Sequence, residues 1–187
     1  MDLKNLLYSE IDRMGSLNIK QKLLNKNENS KFIIEELLKN CMNSTNGKTL
    51  SNGEWVSLAE ALMHYLLTIM VIPSQRKINI NGLEVGIMIP NARDIYKILE
   101  QVIIIQFCLT EDETIKNVVE KLKAIQPLHQ NIWIVSYSSI DTLKPLKNYV
   151  ISNSKTINSD NVYPFSQIMI DIVQHVDRIN YSGFKIL

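Results

Sequence analysis

The feature that most constrains this chain is an apolar run near its middle. Residues Val102–Cys108 read Val-Ile-Ile-Ile-Gln-Phe-Cys, so most of them are β-branched or aromatic. The run is too short to cross a membrane, and its composition favours a strand that is buried on both faces. Such a strand lies inside a sheet, so the rest of the chain must supply neighbouring strands and covering helices.

The segments before this run predict a helix and a hairpin. Ser51–Glu54 has the spacing of a capping box and begins an apolar helix that extends to about Val71. Ile78–Asn81 alternates between apolar and polar residues, and Asn81-Gly82 is a hairpin turn signal. The returning strand, Leu83–Ile89, is therefore predicted to place four apolar side chains on one face: Leu83, Val85, Ile87 and Ile89.

The segments after the run predict a parallel crossover. Thr110–Glu113 has the spacing of a second capping box, which begins an amphipathic helix, and Ile132–Tyr137 is the next apolar strand. A strand, a helix and a strand in this order imply two parallel strands joined by a right-handed connection. Tyr149–Ile151 is predicted as an edge strand, and Pro164 as the start of a last helix.

These signals together predict an α/β fold in which a small mixed β-sheet of four to five strands is flanked by helices. Apolar residues at helical spacing before residue 48 predict a helical amino-terminal arm. The polar loop Asn43–Asn52 follows that arm. We therefore divide the 187 residues into an arm, 1–47, and an α/β domain, 48–187.

Charge and composition limit the partners. The chain has 20 basic and 19 acidic residues, a net charge of +1, whereas a protein that covers a long nucleic-acid footprint is usually clearly basic. Association with nucleic acid is therefore expected only at a local patch, for which Arg76-Lys77 and the pair Lys144 and Lys147 are candidates. No leader and no membrane-length apolar stretch is evident, so we expect a cytoplasmic protein without a membrane partner.

The residues that most often carry chemistry are scattered. The three histidines lack metal-ligand spacing, and no glycine-rich phosphate motif occurs. The two cysteines, Cys41 and Cys108, are far apart, so a disulfide framework is not expected. Cys108 lies in the apolar run without a histidine near it in sequence, which favours a buried core thiol over a nucleophile.

The order of elements over Glu54–Ser138, about half of the chain, resembles the PD-(D/E)XK nuclease-like superfamily: a helix, a hairpin, a long buried strand, an amphipathic helix and a parallel strand. The resemblance implies an acid near the end of the second hairpin strand, often within Glu-Val/Ile-Asp, and a Glu-x-Lys pair on the next strand. Residues i and i+2 of a strand project to the same face. The carboxylates bind a divalent metal, and the metal and the lysine stabilise the phosphate and activate water.

This chain departs from that pattern at each position. Glu84-Val85-Gly86 stands where Glu-Val-Asp is expected, and Gln106-Phe107-Cys108 stands where Glu-x-Lys is expected. Gly86 offers no ligand, and Cys108 is neither a cation nor a ligand that hard metals prefer. We therefore expect a nuclease scaffold without catalytic residues, cofactor or metal, which acts as a binding or oligomerisation module and forms a homodimer.

Two alternatives stay open. The first is a divalent-metal-dependent nuclease whose acids have migrated, with Glu60, Glu84 and Gln106 as its site residues and Mg²⁺ as its cofactor. The second is a small-molecule α/β enzyme with its site at the carboxyl ends of the strands, near Cys108–Thr110 and Ser136–Ser139.

Overall fold

The computed structural model of the chain describes residues 2–25, 29–45, 47–109, 114–152 and 160–183. Within them the helices are α1 Leu3–Met14, α2 Ser16–Asn25, α3 Asn29–Asn43, α4 Asn52–Ile69, α5 Thr114–Ile125 and α6 Ile168–Gly183. The strands are β1 Gln75–Ile80, β2 Leu83–Ile89, β3 Ile103–Phe107, β4 Ile132–Ser136, β5 Lys147–Val150 and β6 Val162–Pro164.

The strands form one six-stranded mixed sheet in the order β1-β2-β3-β4-β5-β6. The pairs β1–β2 and β2–β3 are antiparallel, and the remaining pairs are parallel. The α/β fold with flanking helices is therefore confirmed, but the expected four to five strands are too few. The strand that the sequence analysis missed is β6, which is too short to show a periodicity and ends in a proline.

The apolar run forms the central strand, as predicted. Ile103–Phe107 is β3, which pairs with the hairpin strand β2 on one side and with β4 on the other. The β3–β4 pair is parallel and is connected through α5, which confirms the predicted crossover. The second capping box, Thr110–Glu113, lies outside the described residues.

The sheet separates two hydrophobic cores. The large core lies between one sheet face and the helices α1, α2, α3, α4 and α6, and Ile103 and Ile105 of β3 belong to it. The small core lies on the opposite face, under α5 and the short 3₁₀ helix Ala92–Tyr96, and Ile104 belongs to it. Because β3 contributes to both cores, its sequence shows no alternation. Among the described helices, none is long and apolar enough to span a membrane.

The amino-terminal helices pack onto the same core as the sheet. Leu7 of α1 and Ile33 of α3 are fully buried in the large core. Glu10 of α1 is also buried, and it accepts hydrogen bonds from Arg13 Nε at 2.8 Å and from Ser44 Oγ, just after α3, at 2.6 Å. The helical character of this region is confirmed, whereas the domain boundary at residue 47 stays a prediction.

Helix α4 begins at the predicted capping box. The Ser51 N–H donates to Glu54 Oε2 at 2.8 Å, and the Glu54 N–H donates to Ser51 Oγ at 3.3 Å. The pKa of Glu54 is held below its ordinary value, because its carboxylate accepts hydrogen bonds from the Ser51 N–H and from the Ser51 hydroxyl, the latter at 3.0 Å. The start of α4 is therefore fixed locally.

The hairpin contains a kink that the sequence analysis did not anticipate. Lys77 has a positive φ of 47°, and the β1–β2 register pairs Arg76 with Ile87 and Ile78 with Val85 but skips the intervening Lys77–Gly86 position. We call this the Lys77–Gly86 kink. It reverses the faces of β2, so Leu83 and Val85 lie in the small core while Ile87 and Ile89 lie in the large core. The prediction that all four share one face is wrong for this reason.

Candidate functional site

The candidate site lies where β2 and β3 stop pairing. Their last paired residues are Ile87 and Ile105, and beyond them Gly86 faces Gln106. The amide oxygen Oε1 of Gln106 accepts a hydrogen bond from the Gly86 N–H at 3.1 Å. A partly buried backbone N–H needs such a partner, and Gln106 supplies it from the neighbouring strand. The structure thus brings together two of the positions that the sequence analysis singled out.

The space around Gly86 is already filled. A Cβ atom on Gly86 would lie 2.9 Å from the carbonyl oxygen of Ile105 and 3.0 Å from Cδ2 of Phe107. The three nearest atoms all come from β3, and the closest of them belongs to its backbone. A side chain at residue 86 would have to displace the central strand or the Phe107 ring, so a carboxylate does not fit here as the chain is packed.

Glu60, on α4, is held by two cations of β1. Its Oε1 lies 3.6 Å from Nη2 of Arg76 and 4.0 Å from Nζ of Lys77, and the Glu60 side chain is 18% exposed. Adjacent residues of a regular strand project to opposite faces, yet Arg76 and Lys77 both reach this carboxylate. The positive φ of Lys77 explains the exception. Glu60 is therefore engaged in an ion-pair cluster.

Glu84 lies on β2 opposite Asn79 and is exposed. Within the described part of the chain it has no hydrogen-bond or ion-pair partner, and no such bond joins Glu60 or Glu84 to Gln106. The same residues contain no group of three or more His, Cys, Asp and Glu side chains that could hold a metal ion. Within the described residues, the structure therefore shows no contact that joins these three proposed ligands.

Cys108 is buried in the small core, and its N–H donates to the Val135 carbonyl oxygen at 2.9 Å. Burial raises the pKa of the Cys108 thiol to about 11, so the thiol is protonated at neutral pH and is a poor nucleophile. Burial likewise raises the pKa of Cys41 to about 12. His64 and His175 lie on separate helices, and burial lowers the pKa of each.

A second concave region lies at the carboxyl ends of the parallel strands. A cavity of ≈ 790 Å³ is lined by α3, by Trp55 of α4 and by the residues that follow β4 and β5, including Tyr137 and Ile151. The Glu35 carboxylate at its edge accepts a hydrogen bond from Ser166 Oγ at 2.8 Å. This volume lies within the range of about 300–1,000 Å³ that is typical of small-molecule sites.

The cavity adjoins only part of the site that the small-molecule alternative predicted. Tyr137 lines it, whereas the Ser136 hydroxyl is buried and bonded, as a donor to the Ser138 carbonyl oxygen and as an acceptor from Asn148 Nδ2, each at 2.7 Å. Thr110, the other residue named for that alternative, lies outside the described residues. The serine is therefore part of the structural framework of the strand ends.

Comparison with known proteins relates the fold to restriction endonucleases. No family model matches the sequence, and no curated protein matches it significantly. A complex of the restriction endonuclease PspGI with substrate DNA superposes with a TM-score of 0.61 at 14% identity, over 94% of this chain and 93% of that chain. Metal-depleted Ecl18kI with uncleaved, modified DNA gives a TM-score of 0.67 at 13% identity, over 96% and 80% of the two chains. Metal-depleted Ecl18kI with uncleaved DNA gives a TM-score of 0.66 at 12% identity, over 95% of this chain and 80% of that chain.

The chain therefore has a restriction-endonuclease-like fold, and the resemblance inferred from the order of its elements is confirmed. The similarity extends over nearly the whole chain, including the amino-terminal helices, whereas the sequence pattern covered about half. The metal that this fold implies does not fit the residues present, because Gly86 has no ligand atom, Gln106 Oε1 holds a backbone N–H and Glu60 is paired with cations.

Two features of the site were missed from the sequence. Phe107, predicted only as part of the buried apolar run, also closes the space beside Gly86. Arg76 and Lys77 were considered only as candidates for a nucleic-acid patch, whereas the structure places both beside Glu60. A lysine with positive φ has no sequence signature, so only the glycine on the opposite strand hinted at a local distortion.

We predict that Gly86→Ala lowers the free energy of unfolding by about 1–3 kcal/mol, because the added methyl group overlaps the Ile105 carbonyl oxygen and the Phe107 ring. Chemical denaturation measures the change. The matched control is Glu84→Ala on the same strand, whose exposed side chain has no described partner and should change stability by less than about 0.5 kcal/mol. A Gly86→Ala protein as stable as the unaltered chain would show that the site has room for a side chain.

Proposed function

We propose that this chain is a non-catalytic protein of nuclease fold that binds nucleic acid and acts as a binding or oligomerisation module. One observation carries the proposal: the position where a metal-binding acid is expected is Gly86, whose N–H is bonded to Gln106 and whose side-chain space is occupied by β3. Hydrolysis by the family's chemistry needs carboxylates that hold a divalent cation at this point.

The other groups that the chemistry needs are engaged elsewhere. Glu60 neutralises Arg76 and Lys77, so it would have to leave two cations before it could bind a metal. Cys108 replaces the cationic lysine with a neutral thiol inside the small core. The migrated-acid alternative therefore depends on Glu84, a single exposed carboxylate, and on rearrangement of the Glu60 cluster.

Association with nucleic acid is supported by the neighbours of this fold. The similar structures are complexes of restriction endonucleases with DNA. The net charge of +1 is compatible with a local contact to phosphates and disfavours a long footprint.

We further propose that the chain forms a homodimer. Leu17 and Leu24 lie seven residues apart on α2, so they share one face of that helix, and they are 76% and 66% exposed. Phe32, near the start of the neighbouring α3, is also exposed. Exposed apolar side chains on neighbouring helices are typical of an interaction surface, and a second copy of the same chain would cover them symmetrically.

The small-molecule alternative is favoured by one observation, the cavity of ≈ 790 Å³ at the carboxyl ends of β4, β5 and β6. Its lining combines aromatic side chains with the polar groups Glu35, Lys39 and Ser166. A bound small molecule in this cavity would support that alternative and would leave the nuclease-like site unexplained.

The proposal predicts that duplex, single-stranded and branched DNA stay intact when they are incubated with the protein and Mg²⁺ or Mn²⁺, while DNA binding is detectable in the same samples. Gel analysis of the products and fluorescence anisotropy measure the two quantities. Cleavage that is lost in Glu84→Ala or Glu60→Ala, and kept in the control Asp177→Ala, would establish the metal-dependent alternative. Asp177 is an exposed acid on α6 and therefore controls for the loss of charge.

The dimer predicts a mass of twice the 21.5 kDa of the chain by light scattering at micromolar concentration. Replacing Leu17 and Leu24 with lysine should shift the protein to the mass of one chain, because two charges would then face each other across the interface. Val71→Lys alters an exposed apolar residue at the end of α4 and should leave the mass unchanged. A clean monomer of the unaltered protein would remove the dimer from the proposal.

A further inference from the structure

We infer that the surface formed by the edge strand β1 and the 3₁₀ helix Ala92–Tyr96 binds a single-stranded stretch of nucleic acid. The inference rests on the proposed nucleic-acid binding and adds where the strand lies and in which form it is bound. Three observations support it: a groove beside the edge strand, an exposed aromatic ring on its rim and two cations that flank the ring.

The groove has a volume of ≈ 540 Å³ and lies between Ile78–Asn81 and the residues Ala92, Arg93, Tyr96 and Lys97. Its apolar floor includes Ile80, which belongs to the small core. β1 is an edge strand of the sheet, so no other strand covers this side. The groove is therefore open along one margin of the sheet.

The element that carries the ring is firmly held. The Ala92 N–H donates to Gln75 Oε1 on β1 at 2.7 Å, and the Arg93 N–H donates to the capping side chain of Asn91 at 3.0 Å. Ile95 is buried in the small core, which anchors the turn from below. The rim of the groove therefore presents a preformed surface, and little ordering is needed when a ligand binds.

Tyr96 is the ring on that rim, and it is 79% exposed. A large aromatic side chain so exposed stabilises the folded chain little, because nearly all of its surface stays in water. Bases stack on such rings with little regard to sequence, since every base has a π-face. A base can reach this ring only when it is unstacked, which favours a single strand over an intact duplex.

Arg93 and Lys97 flank Tyr96 and are exposed. Neither side chain has an ion-pair partner within the described residues, and the nearby Asp94 carboxylate accepts a hydrogen bond from Asn91 Nδ2 at 2.6 Å. Two cations that line the same groove as an exposed ring fit the phosphates next to a stacked base. An acidic peptide would satisfy the same cations, but its binding would not require the ring.

The test is fluorescence anisotropy of the full chain with labelled oligo-thymidine, with a duplex of equal length and with poly-glutamate. We expect the single strand to bind tightest. Tyr96→Ala should weaken that binding by about fivefold or more, whereas Tyr96→Phe keeps the ring and should bind as the unaltered protein does. Replacing Arg93 and Lys97 with glutamine should reduce the slope of log K against log salt by about 1.4, because two phosphate contacts are lost.

Two matched controls test whether the loss of any exposed ring, or of any two exposed cations, weakens binding. Tyr8→Ala removes another exposed ring, over which Lys4 Nζ lies 6.0 Å from the centroid, and should not change binding. Replacing Lys116 and Lys121 of α5 with glutamine removes the same charge from exposed positions and should keep the salt slope. Circular dichroism verifies that each variant is folded.

The outcomes separate this inference from the function on which it rests. If the protein binds the single strand and Tyr96→Ala binds equally well, the surface is wrong while nucleic-acid binding stands. If the protein binds no nucleic acid, both are wrong. Tightest binding of poly-glutamate would overturn the inference in favour of an acidic protein partner, and tightest binding of the duplex would overturn the single-stranded form.

Discussion

The hydrogen bond from the Gly86 N–H to Gln106 Oε1 is the interaction on which this account depends. The Lys77–Gly86 kink removes residue 86 from the regular β1–β2 ladder, and a partly buried N–H without a partner would destabilise the fold. Gln106 satisfies it from the central strand and thereby joins β2 to β3 one residue beyond their last ladder pair. The position that the sequence resemblance assigns to a metal-binding acid is thus a structural junction in this chain.

The kink has consequences on both sides of the sheet. It lets Arg76 and Lys77 reach the same carboxylate of α4, so Glu60 joins the hairpin to the large core's helical layer. It also sends Leu83 and Val85 into the small core while Ile87 and Ile89 enter the large core. The hairpin therefore contributes apolar side chains to the cores on both faces of the sheet. Gly86 lies at the kink, where it packs against Phe107.

How much could be predicted from the sequence varies with the range of the interaction. The buried strand β3, the capping box at Ser51 and the β3–β4 crossover depend on local composition and spacing, and each was predicted correctly. Strand β6 is too short to leave a pattern. The kink at Lys77 leaves no signal in the local sequence, so the prediction by strict alternation wrongly placed Leu83 and Ile87 on one face. The positions of Gly86 and Gln106 were identified by resemblance. The bond between them and the ion pairs of Glu60 join residues far apart in the sequence, so only the three-dimensional structure shows them.

Gln106 and Glu60 thus join neighbouring elements of the fold, and we propose that neither of them holds a metal. Titration calorimetry with Mn²⁺ tests it most directly, since Mn²⁺ prefers the oxygen ligands that such a site would offer. We expect no saturable binding of Mn²⁺ at millimolar concentration, for the unaltered chain and for Glu84→Ala alike. Saturable binding of about one ion per chain, lost in Glu84→Ala or Glu60→Ala, would contradict it.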